Sequence, residues 1–303
     1  MEKRSKQHHF VPKVLQKQFL AEDNRIWFSE RNQEGSFSAP EQRNINKTFR
    51  IRNYYTTLEN DFPSDSVEKS YYGQIDNFLG EALPQILDLV ENRIPPQISP
   101  DTLTDIREIV LAMTKRTPDS SVDLGSDLSI GRDLVEQQLK AVRKLGVPEL
   151  ESPYQKILED PVQLQNRGRD IRVRSAIQPS PLCDESLRDF SIRWVVSGTH
   201  HSFILSSRMT FWIGNGGPNG FVNPHLEIWF PLSPKVSLVL LRDPSNQFPS
   251  ITVNSSSHIR ELNEYAARNS NQIASHSKRL LESITGKLAT TTQKKGAPGG
   301  ALL

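Results

Sequence analysis

The chain has 303 residues, of which 36% are hydrophobic and 24% charged, a composition that argues against a membrane-embedded or a fully disordered protein. Its formal net charge of +2 is well short of the excess typical of a dedicated nucleic-acid-binding protein. With one cysteine, Cys183, no run of about 20 apolar residues and no secretory signal, we expect a cytoplasmic protein without an internal disulfide or a membrane partner.

Helical patterns dominate the first part of the chain. Apolar residues recur at helical spacing over Val67–Glu91. A second helix is predicted to begin after the cap Ser99 and to stop before Pro118. A third is predicted over about 128–145, with Gly146 as its carboxyl-terminal stop.

The pattern changes to β-rich runs after Asp189. These runs are SIRWVV, SFILSS, MTFWI, LEIWFPL and VSLVLL, with turn-prone segments such as GNGGPNG between them. They predict an antiparallel sheet. Helical spacing returns at about Ser257 and continues to Ile284.

Together these patterns predict an α+β fold, in which helical N-terminal two thirds pack on a C-terminal antiparallel β-sheet and the chain closes with a long helix. The helical part is about 1–165, the sheet about 188–253 and the terminal helix about 257–285. We expect one domain over 1–285, and a disordered tail over 286–303, where apolar periodicity ends.

Five short segments occur in a characteristic order along the chain. They are His8-His9-Phe10-Val11-Pro12 with Phe19, Asn53-Tyr54-Tyr55, Arg116-Thr117-Pro118, Phe230-Pro231-Leu232-Ser233-Pro234, and Asn263 with Ala266. In this order they resemble the landmarks of a bacterial family catalogued as domain of unknown function 4238. The resemblance spans His8 to about Ser283 and implies an architecture rather than an activity. The chain departs from the family's pattern at Gln16, where the family usually has Leu, and at Asn215, where it has Asp.

The candidate catalytic residues are three polar residues of these segments, His8, His9 and Arg116, together with Asn215 at the position of the family's aspartate. Adjacent histidines on a strand point to opposite faces, so His8 and His9 are not expected to hold one ion together. The alternative is a structural role for these residues. The histidines would then be hydrogen-bonded at the entry to the first helix, and Arg116 would be a cation favoured by the helix dipole in the last turn of its helix.

A divalent metal ion is a candidate cofactor. Folding could bring the second pair, His200-His201, together with His225 near Glu227 or the N-terminal segment to form a nitrogen and oxygen site. The alternative is that His200 and His201 belong to an ordinary loop.

The densest cationic run consists of Arg167, Arg169, Arg172 and Arg174. If the run is extended, Arg172 and Arg174 share one face and can meet phosphates or an acidic partner. The alternative is a solvated surface, since no aromatic residues alternate with the arginines.

Two functions remain open. The first is a hydrolase acting on a phosphate-containing or nucleic-acid substrate, with His8 or His9 as general base or metal ligand and Arg116 as electrostatic clamp. The second is a non-catalytic binding or regulatory module with a degenerate site, which Asn215 in place of the family's aspartate favours.

Overall fold

The computed structural model describes residues 6–120, 125–198, 201–214 and 220–295. Its helices are α1 (Lys13–Gln18), α2 (Gly73–Glu91), α3 (Pro100–Arg116), α4 (Asp127–Leu145), α5 (Glu151–Leu158), α6 (Pro161–Ile177), α7 (Pro181–Leu187), α8 (Ser256–Arg268) and α9 (Lys278–Lys295). Its strands are β1 (Gln7–His9), β2 (Ile26–Glu30), β3 (Glu41–Arg43), β4 (Arg50–Arg52), β5 (Thr57–Glu59), β6 (Phe62–Ser64), β7 (Phe190–Ser197), β8 (Leu205–Ser206), β9 (Phe211–Gly214), β10 (Leu226–Pro231), β11 (Val236–Arg242), β12 (Ile251–Asn254) and β13 (Gln272–Ser275). The α+β class is confirmed.

The ends of two predicted helices are confirmed because their caps form as expected. The Ser99 hydroxyl accepts the backbone N–H of Thr102 at the start of α3, which satisfies one of the free donors of the first turn. Gly146 follows α4 with φ of 67°, the left-handed conformation that glycine adopts at little cost.

The chain divides into two compact units, each built from three separate segments. The first takes the chain through His9, then Arg50–Asn77 and Ser120–Pro179. The second takes Phe10–Phe49, Phe78–Asp119 and the chain from Ser180 onward.

In the first unit, two small antiparallel pairs accompany the helices α4, α5 and α6. β1 pairs with β4, with His8 opposite Ile51. β5 and β6 form a hairpin whose turn residues, Asn60 and Asp61, have φ of 51° and 64°. Two consecutive positive φ values are what a tight two-residue hairpin requires, and Asn and Asp tolerate them better than other side chains.

Helices α4 and α6 of this unit approach each other at two buried glycines. A Cβ added at Gly131 would lie 1.9 Å from the carbonyl oxygen of Leu164, and one added at Gly168 would lie 1.7 Å from that of Asp127. These helices are therefore in backbone contact where they cross.

The second unit contains two sheets. A five-stranded sheet has the order β12-β7-β11-β10-β9 and is antiparallel except for the β12 and β7 pair. A four-stranded antiparallel sheet has the order β3-β2-β13-β8. Helix α9 contributes Leu281, Ile284 and Leu288 to a core cluster with Ile204 and Ile273 of this second sheet region.

The prediction of helical N-terminal two thirds is wrong, because β1 to β6 lie before Asp65. These strands are short: EQR has no apolar residue, and RIR has one, which is exposed. β3 and β4 are strands because they pair with β2 and β1, so local periodicity carries little signal for them.

The prediction of a single terminal helix over about 257–285 is also wrong, because β13 separates α8 from α9. The apolar residues Ile273 and Ala274 fit a helical spacing, but they are the buried residues of a central strand. Helix α9 continues to Lys295, past the predicted boundary near 285, and 296–303 lie outside the described residues. The SFILSS run contributes β8 to the four-stranded sheet rather than to the sheet of the other predicted strands.

Candidate functional site

His8 lies in β1 with its side chain fully buried in the first unit. Its Nδ1 accepts the backbone N–H of Tyr55 at 2.8 Å, and its ring stacks on the Tyr55 ring at a centroid distance of 5.8 Å. An imidazole that accepts at Nδ1 carries its proton on Nε2, so this geometry holds His8 as a neutral tautomer. His9 is half-buried and points to the opposite face of the strand.

The four arginines of the predicted binding run lie on α6, so the extended conformation is wrong. The helix begins at the cap Asp160, which accepts the backbone N–H groups of Val162 and Gln163, with Pro161 in the first turn. On a helix Arg172 and Arg174 diverge by about 200°, and they do not share a face.

Arg172 is buried against the tyrosine segment of the first unit. It donates to the Asp127 carboxylate at 2.7 Å and to the Tyr54 carbonyl at 3.1 Å, and its guanidinium lies 4.2 Å from the centroid of the Tyr54 ring. Burial lowers the pKa of Arg172, but the hydrogen bond to Asp127 and the electrostatic interactions with Asp127, Tyr54 and Tyr55 together outweigh this effect and leave the pKa above its ordinary value. The cation is thus fixed between α4 and the segment that follows β4.

The other three arginines also contact the 54–61 segment or its neighbours. Arg169 donates to the Thr56 carbonyl at 3.2 Å, and Arg167 lies 3.5 Å from the Asp61 carboxylate. Arg174 donates to the Leu58 carbonyl at 2.7 Å. These contacts give the arginines a structural role within their own unit, and ligand binding by them stays a prediction.

The remaining predicted catalytic residues fall elsewhere. Arg116 ends α3 in the second unit, where its side chain is 1% exposed. Asn215 lies outside the described residues. His8 and Arg116 therefore belong to different units, and neither lines the cleft of the second unit described next.

An open cleft of about 580 Å³ in the second unit carries two histidines, an arginine and three serines. Its lining residues are His201, Ser202, His276, Ser277, Arg279, Leu280 and Ser283. Within the described part of the chain, Nδ1 of His201 and Nδ1 of His276 are buried and have no hydrogen-bond partner. In the described part of the chain, both imidazoles of the cleft therefore keep this atom outside the protein's hydrogen-bond network.

Strand pairing brings the two histidines together. β13 pairs with β8 so that Ala274 is opposite Leu205. Continuing this antiparallel register by two residues sets His276 level with Phe203, two residues from His201. Directly after His276 the chain enters α9, where the Ser277 hydroxyl accepts the backbone N–H of Leu280 at 3.3 Å.

The electrostatics of the cleft favour a neutral imidazole next to positive charge. Burial lowers the pKa of His276 below its ordinary value of 6.5. The amino-terminal end of α9 supplies a partial positive charge, and the exposed guanidinium of Arg279 in its first turn supplies a full one. The cleft thus places an imidazole of lowered pKa beside positive charge.

Segments that carry the family resemblance support the strands of this cleft. The Asn263 amide accepts the N–H of Ile204 at 3.1 Å and donates to the Ser202 carbonyl at 2.8 Å. The Pro234 carbonyl accepts the N–H of Phe203 at 2.9 Å. The backbone that presents His201 is therefore held from α8 and from the turn between β10 and β11.

Asp119, directly after the Arg116-Thr117-Pro118 segment, fixes the other ends of these two strands. Its carboxylate accepts the Asn271 amide at 2.7 Å and the hydroxyl of Ser207. Ser207 in turn accepts the backbone N–H of Gln272 at 3.0 Å. One side chain thus connects β8 and β13 at the ends opposite to the cleft.

Sequence reasoning considered His201 but missed His276, Arg279, Ser277 and Ser283, because the whole region reads as one helix. The signal present there was His276-Ser277 followed by Lys278-Arg279, a polar break with a capping serine. His200 lies outside the described residues, and Glu227 is hydrogen-bonded to Trp229 of its own strand at 2.8 Å. Among the described residues, no group of three His, Cys, Asp or Glu side chains is arranged to hold a metal ion.

Comparison with known proteins gives one match. A family model described as "Protein of unknown function (DUF4238)" matches residues 7–279. No curated protein and no solved structure matches the chain. None of the described helices has the length and apolar character needed to span a bilayer.

Proposed function

The chain belongs to the DUF4238 family, whose description names no activity, and from the chain's own side chains we propose a hydrolase that acts on a phosphate-containing substrate in the cleft of His201 and His276. One observation carries this proposal: two imidazoles whose buried Nδ1 atoms have no hydrogen bond to any described residue line the same open cleft as an arginine and a helix amino terminus. Structural histidines normally have such atoms satisfied, as His8 does.

The proposed reaction is attack of water on phosphorus. Neutral His276 takes a proton from the water as its oxygen forms the new bond to phosphorus, and His201 gives a proton to the oxygen of the leaving group as the ester bond breaks. Arg279 and the hydroxyl groups of the cleft offset the charge on the phosphoryl oxygens. The lowered pKa of His276 keeps it in the basic form near neutral pH.

A binding module without catalysis is the second candidate, and a specific observation favours it. Arg279, the Ser283 hydroxyl and the start of α9 suffice to bind a phosphate group, with no proton transfer. In this case the two imidazoles are hydrogen-bond donors to the ligand.

For either function we propose the cytoplasm of a bacterial cell as the location. The single thiol, Cys183, is free and partly exposed, which suits a reducing compartment. The proposed ligands, phosphate-containing metabolites and nucleic acids, occur in the cytoplasm.

The test is hydrolysis of a nitrophenyl phosphate monoester and diester by the intact chain and two variants. His276→Gln is expected to lower kcat by about 10²- to 10⁴-fold, the usual contribution of a general base. His225→Gln is the matched control, because His225 is a histidine of the same unit outside the cleft. It is expected to leave kcat unchanged.

The pH profile adds a second readout. Since the basic form of His276 is required and its pKa is lowered, the acidic limb of kcat/KM is expected below pH 6.5. Binding of inorganic phosphate that is lost in an additional variant, Arg279→Ala, without hydrolysis of either ester, would establish the binding module instead. Hydrolysis that is equal in all three proteins would refute a role for this cleft.

A further inference from the structure

A second polar cleft lies at the same end of the four-stranded sheet as the histidine cleft. It has a volume of about 550 Å³ and is lined by Arg25, Glu41, Gln42, Arg43, Asn44 and Lys47. All of these residues belong to the second unit.

The strand register places the two clefts at one end of the sheet. Trp27 of β2 is opposite Ser275 of β13, and Ile26 is opposite Arg43 of β3. The chain therefore enters β2 from Arg25 where it leaves β13 for His276. Because β8 runs antiparallel to β13, the residues that precede β8 lie at this end too.

Cations occur across the whole end of the sheet. Among the described residues, Arg25 and Lys47 have no ion-pair partner, whereas Arg43 is held by Glu30 and Glu41. Between the two clefts, the Lys278 ammonium lies 5.5 Å from the centroid of the Trp27 ring. Lys278 also has an exposed partner, Glu282, at 3.4 Å, a surface pair that costs little to break.

The distance between the clefts sets the size of a ligand that would use both. From β3 to β8 there are three strand spacings of about 4.8 Å, or about 14 Å in all. Successive phosphates of one strand of a nucleic-acid duplex are about 3.4 Å apart along the helix axis and are farther apart in an extended single strand, so a span of this size corresponds to a few nucleotides. A single phosphate group reaches only one of the clefts.

We infer that this end of the sheet is a binding track for a single strand of nucleic acid, in which Arg25 and Lys47 hold the backbone while a phosphate lies in the histidine cleft. The inference rests on the proposed function of that cleft and names its substrate class. Arg25 directly precedes β2, and Lys47 follows β3. We expect their charges to contribute to affinity for the backbone and to take no part in the hydrolysis.

The test measures binding of a fluorescein-labelled oligothymidylate of about 12 nucleotides by anisotropy at several salt concentrations. The double variant Arg25→Ala/Lys47→Ala is expected to weaken binding about 10- to 100-fold. Its slope of log K against log salt is expected to be shallower by about 0.7 for each phosphate that is no longer neutralised. Lys17→Ala, an exposed cation on α1 of the same unit, is the matched control and is expected to bind as the unaltered chain does.

The same variants separate this inference from the proposed function. Hydrolysis of the small nitrophenyl esters is expected to be unchanged in the double variant, because neither residue lines the histidine cleft. The track is refuted if the double variant and Lys17→Ala bind the oligonucleotide equally, or if inorganic polyphosphate binds and the oligonucleotide does not. Oligonucleotide binding that needs Arg25 and Lys47 in a protein without any hydrolytic activity would uphold the track and refute the hydrolase.

Discussion

The imidazole of His8 is fully buried, accepts the backbone N–H of Tyr55 and stacks on the Tyr55 ring. The imidazole of His276 is partly exposed in a cleft, and its buried Nδ1 has no hydrogen-bond partner among the described residues. The same type of side chain thus has two different environments in one protein. They differ in whether a backbone N–H of the described chain donates a hydrogen bond to the Nδ1 atom of the ring.

Replacing His8 with phenylalanine tests its structural role. The new ring can still stack on Tyr55, but the Tyr55 N–H is left without its acceptor in a buried site, so we expect a decrease of about 1–3 kcal/mol in the free energy of unfolding. Urea denaturation gives this value from the shift of the midpoint.

The control is His258→Phe, at an exposed histidine of α8 whose ring accepts no backbone N–H in the described structure. It should change the free energy of unfolding by no more than about 0.5 kcal/mol. Equal midpoints for the two variants would contradict the structural assignment of His8.

At the scale of elements, α4 and α6 are in backbone contact through Gly131 and Gly168. This contact sets where Asp127 lies relative to Arg172, and Arg172 in turn holds the Tyr54 carbonyl. The crossing of two helices therefore positions the tyrosine segment on which His8 stacks.

Gly168→Ala is expected to destabilise the protein. The added Cβ would lie 1.7 Å from the Asp127 carbonyl oxygen, and since the obstacle is backbone, the helices must separate, at a cost of about 1–3 kcal/mol or more. Thermal unfolding followed by circular dichroism measures the effect.

Gly80→Ala in α2 is the matched control, because a Cβ there has no atom within 4 Å. It removes the entropy cost of a helical glycine and is expected to stabilise by about 0.5–1 kcal/mol. A melting temperature of Gly168→Ala that is unchanged, or raised like that of Gly80→Ala, would contradict the close approach of α4 and α6.

At the scale of the whole molecule, each compact unit is assembled from three separate stretches of chain. In the second unit, β2 pairs with β13, although most of the chain lies between them. Helices α2 and α3 border a small apolar cavity of about 30 Å³ together with Trp194, Phe230 and Leu238 of the five-stranded sheet. The amino-terminal parts of this unit thus depend on strands near the carboxyl terminus.

A chain that ends at Pro179 is therefore expected not to form the second unit. It keeps the three stretches of the first unit but lacks β7 to β13, so the apolar faces of α2, α3 and β2 have no sheet to cover them. We expect aggregation or strong binding of a hydrophobic dye, measured beside the full chain at equal concentration. A monomeric fragment that binds no dye would contradict this expectation, because the apolar faces of α2, α3 and β2 would then be buried against other parts of the fragment.

Local chemistry explains which elements were predictable. The bounds of α3 and α4 follow from Ser99, Pro100 and Gly146, whose effects extend over one turn. The runs around Trp194 and Leu238 read as strands because buried β-branched and aromatic residues are concentrated there. In contrast, β3 and β4 are short and charged, and only their partners make them strands.

The sequence by itself determined the α+β class, the principal helix ends and the resemblance to the DUF4238 family, because caps, periodicity and short motifs are local properties. The tertiary structure decided that β13 interrupts the terminal helix and that His201 and His276 share a cleft. The physical reason is that pairing between strands far apart in the chain is stabilised by burial of both partners. The sequence of either segment alone does not reveal this stabilisation.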